Sequence, residues 1–156
     1  MAKLMVLAVP ALLALAAVVP AVLAADIEDC SDNEDLGKFI SAQVSGCTED
    51  DDKCPLKRGE NVTITISFKT NKDIKSVAQV VHGVMAGLPV PFPLDNPDAC
   101  QNTGLKCPLA AGATQEYHFG LFVKPVYPKV SVKVKWELQN EDKKQIICVL
   151  IPAILK

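Results

Sequence analysis

Four prolines, at positions 89, 91, 93 and 97, are set among apolar residues in the stretch HGVMAGLPVPFPLDNPDACQNTGLKCP, residues 82–108. Each proline lacks a backbone donor, so the stretch cannot be a central strand with full hydrogen-bond ladders. It cannot be a solvated linker either, because Leu88, Val90, Phe92 and Leu94 would then stand in water. Two readings remain: an edge strand, or a loop laid over an apolar interior. Cys100 and Cys107 close the stretch, and a bond between them pins its far end. The expectation is the rim of a hydrophobic cavity.

The start of the chain stands apart from this. Lys3 supplies a short positive region, residues 4–23 are nearly all Leu, Val and Ala, and Val22-Leu23-Ala24 puts small residues at a cleavage position. Residues 1–24 therefore read as a signal peptide and 25–156 as one domain. A signal anchor is the weaker reading, because no basic flank follows and Pro10 and Pro20 interrupt the run. Without that segment the chain carries 15 basic and 18 acidic residues, a net charge of −3, with ten of the acidic residues between Asp26 and Asp52. A near-neutral chain with an acidic front argues against nucleic acid as a partner.

Six cysteines behind a signal peptide read as disulfides in an oxidising compartment. Spacing favours Cys47 with Cys54 and Cys100 with Cys107, leaving Cys30 for Cys148. In the chain-entropy model each short loop contributes roughly 2.5 kcal/mol and the long closure roughly 5 kcal/mol. A zinc site finds no support, since there is no CxxC pair and no histidine cluster.

Residues 60–69 give the first strong periodicity. Val62, Ile64, Ile66 and Phe68 alternate with Thr63, Thr65, Ser67 and Lys69, as in a half-buried strand. Tyr117, Phe119, Leu121 and Val123 repeat the pattern, and Val130, Val132, Val134, Trp136 and Leu138 repeat it most clearly. Asn140 to Lys144 is a polar turn, after which Gln145 to Ile151 returns as the second arm of a hairpin. Ile74 to Met85 is another β-rich run. Weaker strands are expected around Asp26–Cys30 and Phe39–Val44. No useful helical period appears. The fold expected is all-β, an immunoglobulin-like antiparallel β-sandwich of about seven strands.

Catalytic motifs are missing from the sequence. There is no GxSxG elbow, no HExxH, no glycine-rich phosphate loop and no cysteine left unpaired. His82 and His118 lie in or beside strands and read as structural side chains. Glu49-Asp50-Asp51-Asp52 lacks the alternate ligands, glycine and closing glutamate of an EF-hand, so it reads as a solvated turn and no metal site is expected. The chain reads as a non-enzyme without a cofactor. Asn61-Val62-Thr63 is a glycosylation sequon at a strand start. From the apolar inventory alone, a filled sandwich core and a ligand space both remain open. Val123-Lys124-Pro125-Val126-Tyr127-Pro128 adds a second proline-broken apolar segment, which could keep the two sheets splayed.

Several ordered pieces then resemble a known family. They are Gly46-Cys47, Cys54-Pro55-Leu56-Lys57-Arg58-Gly59, Val81-His82-Gly83, Pro89-Val90-Pro91-Phe92-Pro93, Pro97-Asp98-Ala99-Cys100, Cys107-Pro108-Leu109, Tyr127-Pro128, Trp136-Glu137-Leu138 and Cys148 with Ile151-Pro152. Together they resemble the ML lipid-recognition family, most closely its soluble sterol carriers of the Niemann–Pick type C two kind, over essentially the whole mature chain. The resemblance implies the same cysteine pairing and a pocket between the sheets that holds one sterol, tail inward and hydroxyl near the mouth. It places the mouth at Phe92, Val123 and Tyr127, with Val90 and Val44 continuing the wall. It implies a monomeric carrier in the extracellular space or lysosomal lumen. Such a carrier touches membranes transiently and hands lipid to a membrane or to a membrane sterol-transport protein. Another amphiphile, with a lipid-sensing or chemosensory role, is the second reading on this fold, and a structural sandwich with a filled core is the third. Two departures stand out: the sequon at Asn61 lies nearer the start of its strand than in the carriers. Val149 replaces a tryptophan common in them, which bears on pocket volume or on a membrane-facing surface.

Overall fold

The computed structural model describes residues 25–156, so the segment read as a signal peptide lies outside the described residues. The described residues form nine strands: β1 (Glu28–Asp29), β2 (Gly37–Val44), β3 (Cys54–Leu56), β4 (Asn61–Thr70), β5 (Ala78–Met85), β6 (Leu88–Phe92), β7 (Thr114–Phe122), β8 (Ser131–Gln139) and β9 (Gln145–Leu155). One sheet runs β1-β9-β8-β5-β6, with β3 added in parallel to β9, and the other runs β2-β4-β7. This is the immunoglobulin-like sandwich expected, antiparallel apart from the short β3, with nine strands rather than about seven because β1 and β3 are short additions to β9.

The two sheets meet through alternating side chains. Ile66 and Phe68 of β4, Tyr117 of β7, Trp136 and Leu138 of β8, and Ile147 of β9 are all buried between them. The weak signal in β2 has a local cause. Its pairing with β4 slips between Phe39 and Ser41, leaving Ile40 as an exposed bulge and shifting the alternation by one residue. Ile74 to Met85 is not one strand: Ile74 makes an isolated bridge to Leu109, and β5 begins only at Ala78. The three-residue β3 is too short to show a period.

Strand β9 continues four residues past its expected end, through Pro152. It can do so because of where the proline faces. Lys156 N–H donates to Leu56 O while Leu155 N–H donates to Val130 O, so even-numbered residues of β9 turn their nitrogens away from β8. The nitrogen of Pro152 therefore points to the side where β1 has ended, at Leu150, and β3 has not yet begun, at Ala153. No ladder bond is lost there.

The proline run resolves to an edge strand, and contrary to expectation Leu88 and Val90 are exposed on it, because no neighbour among the described residues covers the outer edge of the sheet. The two-residue turn Ala86-Gly87, with φ of 50° and 78°, joins β5 to β6. Its closing pair Met85–Leu88 is of the hydrogen-bonded kind, and the pairs alternate from there. Pro89 and Pro91, opposite Val84 and His82, fall in the non-bonded pairs and turn their nitrogens outward. The prolines leave the inner ladder intact and blunt the outer edge.

All six cysteines are paired, Cys30–Cys148, Cys47–Cys54 and Cys100–Cys107.

Candidate functional site

The inward face of β8 changes character along its length. Trp136 and Leu138 are buried, with Trp136 packed against Tyr117 and Phe119 at centroid distances of 6.3 and 5.4 Å. Toward the start of the strand the same face presents Val130, Val132 and Val134, which are only half-buried. They line a cavity of about 200 Å³ between the sheets. Leu121 and Val123 close it from the opposite sheet, and Leu56 and Leu155 from one end. Its wall is almost entirely hydrocarbon, so it can exclude water around an apolar ligand and offers no charged group to fix a polar one.

Gly83 of β5 keeps part of this space open. A Cβ added there would lie 3.3 Å from Cγ2 of Val132. A side chain of any length would enter the cavity. Gly83 sits in regular strand geometry, so its role is room rather than backbone freedom.

At the mouth Phe92 and Tyr127 meet edge to face, with centroids 5.6 Å apart and planes at 70°. Both rings line the cavity and also a second, outer cleft of about 420 Å³. The pair therefore stands between the two spaces. Of the residues expected at the pocket, the structure brings Phe92, Tyr127, Val123 and Val90 together around the cavity. Val44 is elsewhere. It is buried in the core at the end of β2, opposite Ile64, and is not among the lining residues. Val149 is fully buried and paired with Trp136, in the filled half of the core and away from any surface.

Three positioning residues escaped the sequence reading. Arg58, the only arginine in the chain, donates to the carbonyls of Pro125 and Tyr127, each at 3.1 Å, and to Lys156 O at 3.3 Å. A guanidinium spreads five donors over a rigid plane and so reaches carbonyls that lie apart, whereas an ammonium presents its three donors from a single point. Arg58 thereby fixes the segment that carries Tyr127. The only arginine among fifteen lysines was the available signal.

Gln79, buried in β5, does the corresponding work on the other wall. Its amide donates to Asn96 O, its backbone N–H donates to Pro97 O at 2.9 Å, and its Oε1 accepts from the Tyr117 hydroxyl. Trp136 Nε1–H in turn donates to the Tyr117 hydroxyl at 3.1 Å. This chain of bonds ties the end of the proline-rich loop to the centre of the core. Burial pushes the Tyr117 phenol up and outweighs the opposing hydrogen bond from Trp136, so it stays neutral. The third residue is Gly83, quoted in a motif but given no role.

Both histidines stand beside carboxylates. His82, on the opposite face of β5 from Val81, stands 3.9 Å from the Glu137 carboxylate. His118 sits between Glu116 at 2.8 Å and the Thr65 hydroxyl at 3.1 Å. Among the described residues no cluster of His, Cys, Asp or Glu is arranged to hold a metal ion.

Comparison with known proteins adds an independent line. A family model described as the ML domain matches residues 24–155. The chain is 45% identical over 143 residues to the NPC intracellular cholesterol transporter 2 homolog a of Drosophila melanogaster, covering 92% of this chain and 95% of that protein. It is 47% identical over 125 residues to an ecdysteroid-regulated 16 kDa protein of Manduca sexta, covering 80% and 84%. Among solved structures, a Niemann–Pick type C2 protein from the Japanese carpenter ant superposes with a TM-score of 0.78 at 35% identity, covering 83% of this chain and 98% of that one.

Proposed function

The chain belongs to the ML domain family, and from that premise we propose a secreted lipid-transfer protein that binds a sterol such as cholesterol and shuttles it between membranes. The observation that carries this reading is the hydrocarbon-walled cavity with the Phe92–Tyr127 pair at its mouth. Such a wall recognises shape and apolar area, and the mixed surface beyond the two rings accommodates a hydroxyl. The similarity to a fly cholesterol transporter across almost the full chain supports the same ligand class.

In this reading the protein is a monomeric carrier in the extracellular space or lysosomal lumen, with residues 1–24 as its signal peptide and 25–156 as its ML domain. It works without a cofactor and catalyses no bond change. Its partners are the lipid, membrane surfaces that it touches transiently and a membrane sterol-transport protein.

The cavity, at about 200 Å³, falls below the roughly 300–1,000 Å³ of ordinary ligand pockets. Binding of a sterol therefore requires the cavity to widen, and in this reading Phe92 and Tyr127 swing apart to let it do so. A ligand of about 28 non-hydrogen atoms at about 0.3 kcal/mol each reaches about 8 kcal/mol, near micromolar affinity. That strength suits a protein that must also release its cargo.

The test is twofold. Lipid extracted from the purified protein is identified by mass spectrometry, and a fluorescent sterol is titrated into the emptied protein. Sterol in the extract with saturable binding supports the proposal; a different amphiphile, or none on repeated trial, overturns it. Phe92→Ala is expected to weaken sterol binding about tenfold with the fold retained, since it removes one of the two aromatic contacts at the mouth. Unchanged affinity would remove Phe92 from the site.

A further inference from the structure

The sequon at Asn61 opens β4 with its two essential residues on one face. Asn61 and Thr63 are both exposed, while Val62 between them is turned into the core. The Thr63 backbone is engaged with Ser45, through N–H to Oγ at 2.8 Å and O from N–H at 2.9 Å. Its hydroxyl is left on the outside, on the same face as the asparagine amide.

Directly across the strand pair from Asn61 is Phe122, which is 47% exposed. A phenylalanine so exposed at the end of a strand has no role in the core. Cross-strand neighbours place their Cβ atoms about 5 Å apart, so the first sugar of an Asn61 glycan would fall on the Phe122 ring. A pyranose ring has an apolar C–H face suited to stacking on an aromatic face and a rim of hydroxyls suited to amides and charges.

Both kinds of surface are present. Asn61 and Phe122 border the outer cleft, whose other walls include Asp95, Asn102 and Lys124, and which shares Phe92, Leu121 and Tyr127 with the inner cavity. Neither Asp95 nor Lys124 is in a salt bridge or a side-chain hydrogen bond among the described residues. They are free to meet hydroxyls.

We propose that Asn61 carries an N-linked glycan whose first residue stacks on Phe122 and stands across the outer cleft, slowing lipid passage through the Phe92–Tyr127 pair. The proposal rests on the secreted sterol-carrier reading and adds a regulator to its site. The glycan leaves the inner wall untouched. It is therefore expected to change the rate of exchange and not the equilibrium affinity.

The experiment uses the full chain secreted from a eukaryotic host. Intact mass before and after an N-glycosidase reports occupancy, and transfer of a fluorescent sterol from neutral phosphatidylcholine vesicles reports exchange. Asn61→Gln and Thr63→Ala should each abolish the glycan and raise the exchange rate about threefold or more, with Kd unchanged. Phe122→Ala should keep the glycan mass yet give the same acceleration. In protein made in bacteria, which lacks the glycan, Asn61→Gln should change nothing. An unmodified secreted chain, a glycan without effect on exchange, or an effect of Asn61→Gln in bacterial protein would each overturn the proposal. Absence of sterol binding in every form would instead overturn the carrier reading itself.

Discussion

Strand β8 crosses two halves of one interior, and they are built differently. Around Trp136 and Leu138 the sandwich is solid. Tyr117, Phe119, Val81 and Val149 surround the indole, a disulfide joins Cys30 to Cys148 on the outer side of β9, and Gln79 bonds the nearby loop to the core. Around Val130, Val132 and Val134 the sandwich is hollow, walled by small aliphatic side chains and by Gly83. The difference lies less in hydrophobicity than in volume. One periodic pattern specifies both halves, and the size of the inward residue decides which is packed and which can take a ligand. Proline matters too: β6 and the 125–128 segment cannot zip the sheets together at the hollow end.

The largest expected effect comes from emptying the solid half. Trp136→Ala should destabilise the protein by about 3–5 kcal/mol, the usual cost of deleting a large buried aromatic. It also takes from the Tyr117 hydroxyl its indole donor. Urea unfolding measures this. A loss below about 1 kcal/mol would mean that the solid half is not where stability resides.

Filling the hollow half should do the reverse. Val132→Phe places a ring in a cavity of about 200 Å³. It should raise stability by about 0.5–2 kcal/mol, as cavity filling commonly does. Sterol affinity should fall about a hundredfold, because the ring occupies the ligand's space. The two substitutions lie four residues apart on one face, and they should move stability in opposite directions. If Val132→Phe destabilises the fold as Trp136→Ala does, the division into solid and hollow halves is wrong.

Much of this architecture was legible in the sequence, and the exceptions are physical. Strands β4, β7 and β8 announce themselves by alternation, while the first part of β9, buried on both faces from Ile146 to Val149, is legible only as the return arm of the hairpin. β2 was faint because a bulge at Ile40 breaks its phase, and β3 is too short to have one. The tail of β9 was hidden behind Pro152, whose tolerance depends on a gap between β1 and β3 that only the assembled sheet creates. At the site, Phe92 and Tyr127 were assigned through family resemblance, while alternation gave Val132 and Val134 as ordinary interior. A period of two reports which way a residue faces and says nothing about whether its neighbours reach it. Val44 shows the same limit. It faces inward, but the space beside it is filled.

Arg58 offers a finer test of the hollow half, since it holds the Tyr127 segment without touching the cavity. Arg58→Lys keeps the charge and loses the fork that spans the carbonyls of Pro125, Tyr127 and Lys156. Stability should fall by about 1–2 kcal/mol. Sterol should dissociate about tenfold faster, because a loosened Tyr127 opens more often. A stability loss with unchanged dissociation would show that Phe92 alone sets the gate.

The smallest effect concerns the tip of the β5–β6 hairpin. Ala86 occupies the first position of its two-residue turn at a φ of 50°, where a Cβ is disfavoured and asparagine is commonly found. Ala86→Asn should stabilise the protein by about 0.5–1 kcal/mol, relieving the turn without the added chain entropy of glycine. Met85 beside it lines the cavity, and Leu88 across the turn lies exposed on the rim strand. The gain in stability can therefore be compared directly with the rate of sterol exchange. If stability rises and exchange is unchanged, the hairpin tip is a passive edge and opening is confined to Phe92 and Tyr127. If exchange slows in step with the gain, turn strain contributes to opening, and the hollow half differs from the solid half in its backbone as well as in the size of its side chains.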